Sequence, residues 1–135
     1  ALLRVKPDIP NLINPINFAP NLPTLDENDR QRVYIIGHPR GGEISFSYED
    51  NELLDYEVDR ALAVDDPSPC RIHYRAPTEP GSSGSPVFKA AWRSIGLHHK
   101  GGTVMPKLNG KQGLYGANEA ISIVSIKNAL RVYFE

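Results

Sequence analysis

Short apolar runs, many alternating with polar residues and bounded by glycine, proline or acidic clusters, recur along most of the chain and predict strands rather than helices. Arg32-Val33-Tyr34-Ile35-Ile36-Gly37 is a β-branched run ending in the turn material His38-Pro39-Arg40-Gly41-Gly42, where His38 reads as a turn residue. Ile44, Phe46 and Tyr48 alternate, Glu49-Asp50-Asn51-Glu52 turns, and Leu54, Tyr56 and Val58 alternate again, which predicts a hairpin with one buried face. That phase sends Asp55, Glu57 and Asp59 to the solvent side, so they read as surface charge and not as a metal site. A turn at Asp65-Asp66-Pro67-Ser68-Pro69 leads into a strand at 70–75, with Cys70 as a small packing residue and His73 as a surface residue. Another hairpin is predicted from Val87-Phe88 to residues 94–99 around Trp92, then a Gly/Lys/Asn-rich loop at 103–116 and a last strand at 117–123. Ser125 is placed to N-cap a closing helix that buries Ile126, Leu130 and Tyr133.

The first thirty residues break this pattern. From 6 to 30, Pro7, Pro10, Pro15, Pro20 and Pro23 stand among Asn and Asp, and prolines this frequent remove the donors that a central strand or helix interior needs. The interspersed Ile9, Leu12, Ile13, Ile16, Phe18 and Leu22 argue for an extended connector packed onto a surface. The expected organisation is therefore the end of a strand at 1–5, a Pro-rich connector at 6–30 and a folded unit at 31–135.

Composition narrows the classes of function. The 135 residues suffice for one modest domain with a real core. With 15 Lys+Arg against 16 Asp+Glu, the net charge of −1 lends no support to a nucleic acid partner. No apolar run approaches membrane-spanning length, so no membrane partner is expected. Cys70 is the one cysteine, which excludes an intrachain disulfide. His98 and His99 are adjacent in a strand and point to opposite faces, and without Cys or carboxylate at ligand spacing no metal or other cofactor is expected. A start without Met reads as a piece of a longer precursor.

The chemistry concentrates at Gly81-Ser82-Ser83-Gly84-Ser85-Pro86. Glycines of this density belong where the chain turns tightly or where another group comes close. Such a turn presents a hydroxyl and backbone N–H groups to one small space, as acyl transfer requires. An ordinary small-residue turn is the competing reading of these six residues alone.

Gly81-Ser82-Ser83-Gly84-Ser85-Pro86-Val87 resembles the signature around the active serine of trypsin-like, chymotrypsin-fold serine proteases. The resemblance implies Ser83 as the nucleophile and the N–H groups of Gly81 and Ser83 as the oxyanion hole. Ser82 stands where the family has Asp or Asn. Residues 32–42 resemble the element that opens the second barrel, and 96–102 the strand that lines the substrate groove, which implies backbone pairing of His99 and Gly101 with a bound peptide. The implied fold is all-β: an antiparallel six-stranded barrel, preceded by the Pro-rich connector and closed by a C-terminal helix. Ala1-Leu2-Leu3-Arg4-Val5 resembles the tail of the segment that carries the triad aspartate, which would lie two residues before Ala1.

The chain thus looks like the second half of a protease, with the nucleophile but neither the histidine nor the aspartate of the triad. The partners this implies are a peptide or protein substrate and an N-terminal barrel supplying both. Without a base Ser83 is an ordinary alcohol, and a site of oxyanion hole and binding alone keeps only roughly 10³–10⁴-fold over water. Thr78 and His98 stand where glutamate-specific bacterial members carry their carboxylate-binding residues, while Pro77 replaces the aspartate of members that favour basic residues. The resemblance implies that both donate to an acidic side chain, glutamate first, on the acyl side of the cut bond. A protease-derived module that binds peptides without cutting them is the alternative.

Overall fold

The computed structural model describes residue 3, residues 14–63 and residues 68–134. Seven strands form one antiparallel sheet: β1 (Val33–Gly37), β2 (Ser45–Ser47), β3 (Glu52–Tyr56), β4 (Arg71–Arg75), β5 (Pro86–Lys89), β6 (Arg93–Pro106) and β7 (Leu114–Ser122). A short helix, α1 (Val58–Leu62), follows β3, and α2 (Ile123–Phe134) ends the chain, so the class is all-β with a C-terminal helix. The strand order is β2-β1-β5-β6-β7-β4-β3.

The expected six-stranded closed barrel is corrected to seven strands whose ladder does not close. The reason lies in residues 44–58. β2 and β3 are the two edges of the sheet, so the hairpin expected between them would have closed it; instead β2 pairs with β1 and β3 with β4. Asn51 crosses the end of β1, its amide donating to Ser47 C=O at 2.8 Å and Val33 C=O at 2.6 Å. One backbone bond, Leu53 N–H to Gln31 C=O at 2.9 Å, links β3 to the residues before β1.

The buried phase of β3 is also shifted by one residue. Leu53, Asp55 and Glu57 are buried, whereas Ile44, Phe46, Tyr48 and Val58 are exposed. The carboxylates tolerate this because each has partners: Asp55 takes Lys111 Nζ at 2.9 Å and Asn109 Nδ2 at 3.0 Å. Glu57 takes the Arg71 guanidinium at 2.6 Å and the Arg71 N–H at 2.8 Å.

Val33, Leu53, Ile72, Tyr74, Val87, Ile95 and Ala120 form the core. Ala19 joins them, with Leu22 and Leu25 packed alongside. The described part of the proline-rich segment forms no strand. It is tied to β6 by Ala19 N–H to Ser94 C=O (2.8 Å) and Ser94 N–H to Asn17 C=O (2.9 Å). Expectations for residues 1–13 and 64–67 lie outside the described residues, Leu3 apart.

The loop expected at 103–116 shrinks to 107–113, since Met105 pairs with Tyr115 and Pro106 with Leu114. This long hairpin folds over β3 and β4, where Asn109 Nδ2 donates to Tyr56 C=O at 2.8 Å. His73, expected at the surface, is therefore buried at 1% exposure. Ser125 is no N-cap: α2 starts at Ile123, Ser125 Oγ accepts the Cys70 N–H at 2.9 Å, and Ser122 Oγ accepts the Val124 N–H at 3.2 Å. Ile126 and Leu130 are half-buried, and the side chain of Tyr133 lies outside the described residues. Trp92 is half-exposed, yet its ring lies 5.5 Å from those of Tyr34 and Phe46, which makes an aromatic face on the outside of β1 and β2.

Candidate active site

The loop between β4 and β5 uses its glycines as their backbone requires. Gly81 has φ +95° and Gly84 φ +86°, a region that side-chain-bearing residues avoid. Internal bonds consume alternate donors: Ser82 N–H goes to Glu79 C=O and Ser85 N–H to Ser82 C=O, both at 3.1 Å, and Gly84 N–H to His98 C=O at 2.8 Å. The N–H groups of Gly81 and Ser83 have no acceptor among the described residues. Ser83 is exposed, with its Oγ 3.5 Å from His99 C=O.

A second turn braces this loop. Arg40 N–H donates to Pro80 C=O at 2.7 Å, and the Arg40 guanidinium meets Glu79 at 3.0 Å. In a trans peptide the C=O and N–H point opposite ways, so holding Pro80 C=O toward Arg40 turns Gly81 N–H away from it. A Cβ on Gly81 would lie 3.0 Å from Arg40 N, which leaves this close approach to glycine. Ser82 is buried, and its Oγ accepts the Glu79 N–H at 3.4 Å, a bracing role for the residue that replaces the expected Asp or Asn.

Beside the loop lies a cavity of about 780 Å³, and all six residues singled out in the sequence line it: Thr78, Gly81, Ser83, His98, His99 and Gly101. The β5–β6 ladder ends at Pro86–Leu97, so beyond His98 the edge of β6 away from β7 is unpaired by strand. His98 is buried, with Nδ1 2.6 Å from Tyr74 OH. Burial, with a smaller contribution from His99, holds its pKa below the ordinary histidine value, and burial pushes the Tyr74 hydroxyl well above the ordinary tyrosine range.

Three neighbours were not foreseen. Thr78 Oγ1 donates to Asn118 Oδ1 at 2.8 Å, while Asn118 Nδ2 donates to Ala76 C=O at 2.7 Å. Tyr74 sits behind His98. Glu119 is a buried carboxylate shared by His73 Nε2 at 3.0 Å, His99 Nε2 at 3.7 Å and Lys100 Nζ at 3.9 Å. Thr78 and Asn118 are 40 positions apart, and no spacing rule joins them. A signal did exist for Gly101, since a Cβ there would lie 2.7 Å from Asn118 Oδ1 and only glycine leaves the room.

No histidine ring nitrogen is hydrogen-bonded to Ser83 Oγ. His38 Nδ1 bonds Gly42 C=O at 2.9 Å, and the other three rings are held by Tyr115 and Glu119, by Tyr74, or beside Glu119. Among the described residues no group of three or more His, Cys, Asp or Glu is arranged to hold a metal ion.

The family model of the trypsin-like peptidase domain matches residues 1–97, well over half of the chain and including the serine loop. The chain belongs to the trypsin-like peptidase family. No curated protein matches it. The family match ends one residue before His98, so the second half of the cavity wall, from His98 through Asn118, is known from the structure alone.

Proposed function

We propose that this trypsin-like peptidase domain is part of a serine endopeptidase in which Ser83 attacks the scissile carbonyl to form an acyl-enzyme. The observation that carries the reading is the pair of uncommitted N–H groups, Gly81 and Ser83, flanking an exposed hydroxyl at the rim of a cavity. Two donors converging where an oxyanion develops are what stabilises the tetrahedral intermediate. The unpaired edge of β6 at His99 and Gly101 takes the peptide backbone as an added strand. Thr78 and His98 bound the pocket for the side chain on the acyl side of the cut bond, where the sequence leads to an expectation of glutamate; the proton positions argued below revise that expectation.

The general base and its aspartate come, in this reading, from an N-terminal barrel, in the same precursor or as a separate chain. An aromatic face of exposed Phe46, Tyr48 and Trp92, backed by half-buried Tyr34, is surface suited to such a neighbour. One observation favours a second reading, a peptide-binding module: none of the four histidine rings is hydrogen-bonded to Ser83 Oγ, and each has another partner.

Labelling by a fluorophosphonate, with the N-terminal half present, tests the proposal. Ser83→Ala abolishes labelling, while Ser82→Ala and Ser85→Ala retain it. Labelling that survives Ser83→Ala overturns the assignment, and peptide binding with no labelling at all selects the binding module.

A further inference from the structure

We propose that the pocket beside Ser83 reads a neutral amide side chain, that of glutamine, and discriminates against the carboxylate of glutamate. The proposal rests on the reading of this cavity as a peptide-binding groove and follows from which atom owns each proton.

Asn118 fixes the first proton. Its Nδ2 faces Ala76 C=O, which can only accept, so its Oδ1 must be the atom that faces Thr78. An amide oxygen cannot donate. The single proton of the Thr78 hydroxyl is therefore committed to Asn118, and Thr78 Oγ1 offers the cavity lone pairs only.

Tyr74 fixes the second. Its side chain is fully buried, and the one partner of its hydroxyl among the described residues is His98 Nδ1 at 2.6 Å. A buried O–H needs an acceptor, so Nδ1 is that acceptor and the imidazole proton sits on Nε2. Among the described residues Nε2 has no hydrogen-bond partner and no buried side-chain nitrogen is left unpartnered, so Nε2 is reached from the cavity that His98 lines. His98 presents a neutral N–H donor, in keeping with its lowered pKa.

One donor and one acceptor on the same cavity wall match the C=O and NH₂ of a primary amide. A carboxylate is acceptor-only and would set its second oxygen against the lone pairs of Thr78. Each Lys and Arg among the described residues that line the cavity already faces a carboxylate. Arg75 is paired with Glu52 and Asp50, and His99 and Lys100 both face Glu119. Arg40, beside the same rim, is likewise engaged, by Glu79 at 3.0 Å.

The test is calorimetric binding, at pH 7.5, of blocked peptides that differ only in carrying Gln, Glu, Leu or Lys at one position. It needs no turnover. The expected result is Gln tighter than Glu by about tenfold or more, the scale of one misdirected hydrogen bond. Thr78→Val, which deletes the acceptor, lowers the Gln over Glu ratio, and Asn118→Leu, which frees the Thr78 proton, lowers it by improving Glu. If either variant fails to fold, ¹⁵N NMR of His98 in the unmodified chain still decides. A neutral ring protonated on Nε2 at pH 7.5 is expected, and a proton on Nδ1 or a charged ring overturns the proposal. Glu bound as tightly as Gln overturns it while leaving the peptidase reading, which fluorophosphonate labelling of Ser83 tests separately. Binding of none of the four peptides overturns both the proposal and the groove.

Discussion

Arg40 N–H and Pro80 C=O meet at 2.7 Å, and this contact between two turns orients the peptide that carries the Gly81 N–H. The turn at 38–42 thereby acts on the loop that carries Ser83 through its backbone. Arg40 is held at φ +53°, an uncommon conformation for a residue with a side chain, stabilised where Gly42 N–H closes onto Pro39 C=O at 2.9 Å.

Gly81→Ala should be the most damaging change in the loop other than loss of Ser83. The new Cβ meets Arg40 N at 3.0 Å, and φ +95° is unfavourable for alanine, so the peptide must rotate and withdraw its N–H. Loss of one oxyanion donor lowers the fluorophosphonate labelling rate by about 10²–10³. Arg40→Ala keeps the main-chain bond and removes only an exposed ion pair, so it should cost less than about threefold. Equal effects of the two changes would show that the ion pair, and not the peptide orientation, governs the loop.

The Glu57–Arg71 pair predicts the acid limb of stability. Burial raises the Glu57 pKa, but the Arg71 guanidinium and N–H outweigh it and hold the carboxyl below its usual value. A depressed carboxyl contributes stability that is complete above the unfolded pKa near 4.5 and is lost as pH falls through the folded one. Melting temperature should therefore drop steeply below about pH 4.5. Glu57→Gln should cost about 1–3 kcal/mol at pH 7 and flatten that limb, since the charge-assisted bonds are gone at every pH. An unchanged acid limb in the variant would assign it elsewhere.

Cys70 should behave as an inert thiol. It is fully buried, and burial, reinforced by the Glu57 charge, pushes its pKa up to about 11. The thiolate is the reacting form, so at pH 8 only about one molecule in a thousand is competent even before access is counted. Thiol titration of the native protein should show none of the fast phase that appears in denaturant.

The strands were legible where one apolar face repeats, as in β1, β4 and the β5–β6 hairpin, because burial there demands nothing but hydrophobicity. Reading failed at β3 because Leu54, Tyr56 and Val58 compete with Leu53 in two phases. The choice was made by Lys111, Asn109 and Arg71, long-range partners that bury Asp55 and Glu57. The site divides the same way. Ser83, Gly81, Thr78 and His98 were singled out by resemblance to the family signature, and all four line the cavity. The proton partners of the last two, Asn118 and Tyr74, were invisible, because a hydrogen bond across 40 or 24 residues leaves no local pattern.

The His73–Glu119 pair should be the most costly polar contact to break. Both side chains are almost fully buried, joined at 3.0 Å, and His73 Nδ1 is engaged by Tyr115 OH at 2.8 Å, so neither ring nitrogen can turn to water. Glu119→Ala leaves an imidazole nitrogen without its partner in a dry site and also removes the carboxylate that His99 and Lys100 face. A loss of roughly 3–5 kcal/mol is expected in urea unfolding. The pair is not, however, a net source of stability of that size, because desolvating both groups opposes their attraction. His73→Leu with Glu119→Leu should therefore recover at least half of the loss, since two apolar residues of similar volume leave nothing unpaired. Were the double variant as unstable as the sum of the two single ones, the cost would belong to packing of the long β6–β7 hairpin over β4, and not to an orphaned polar group.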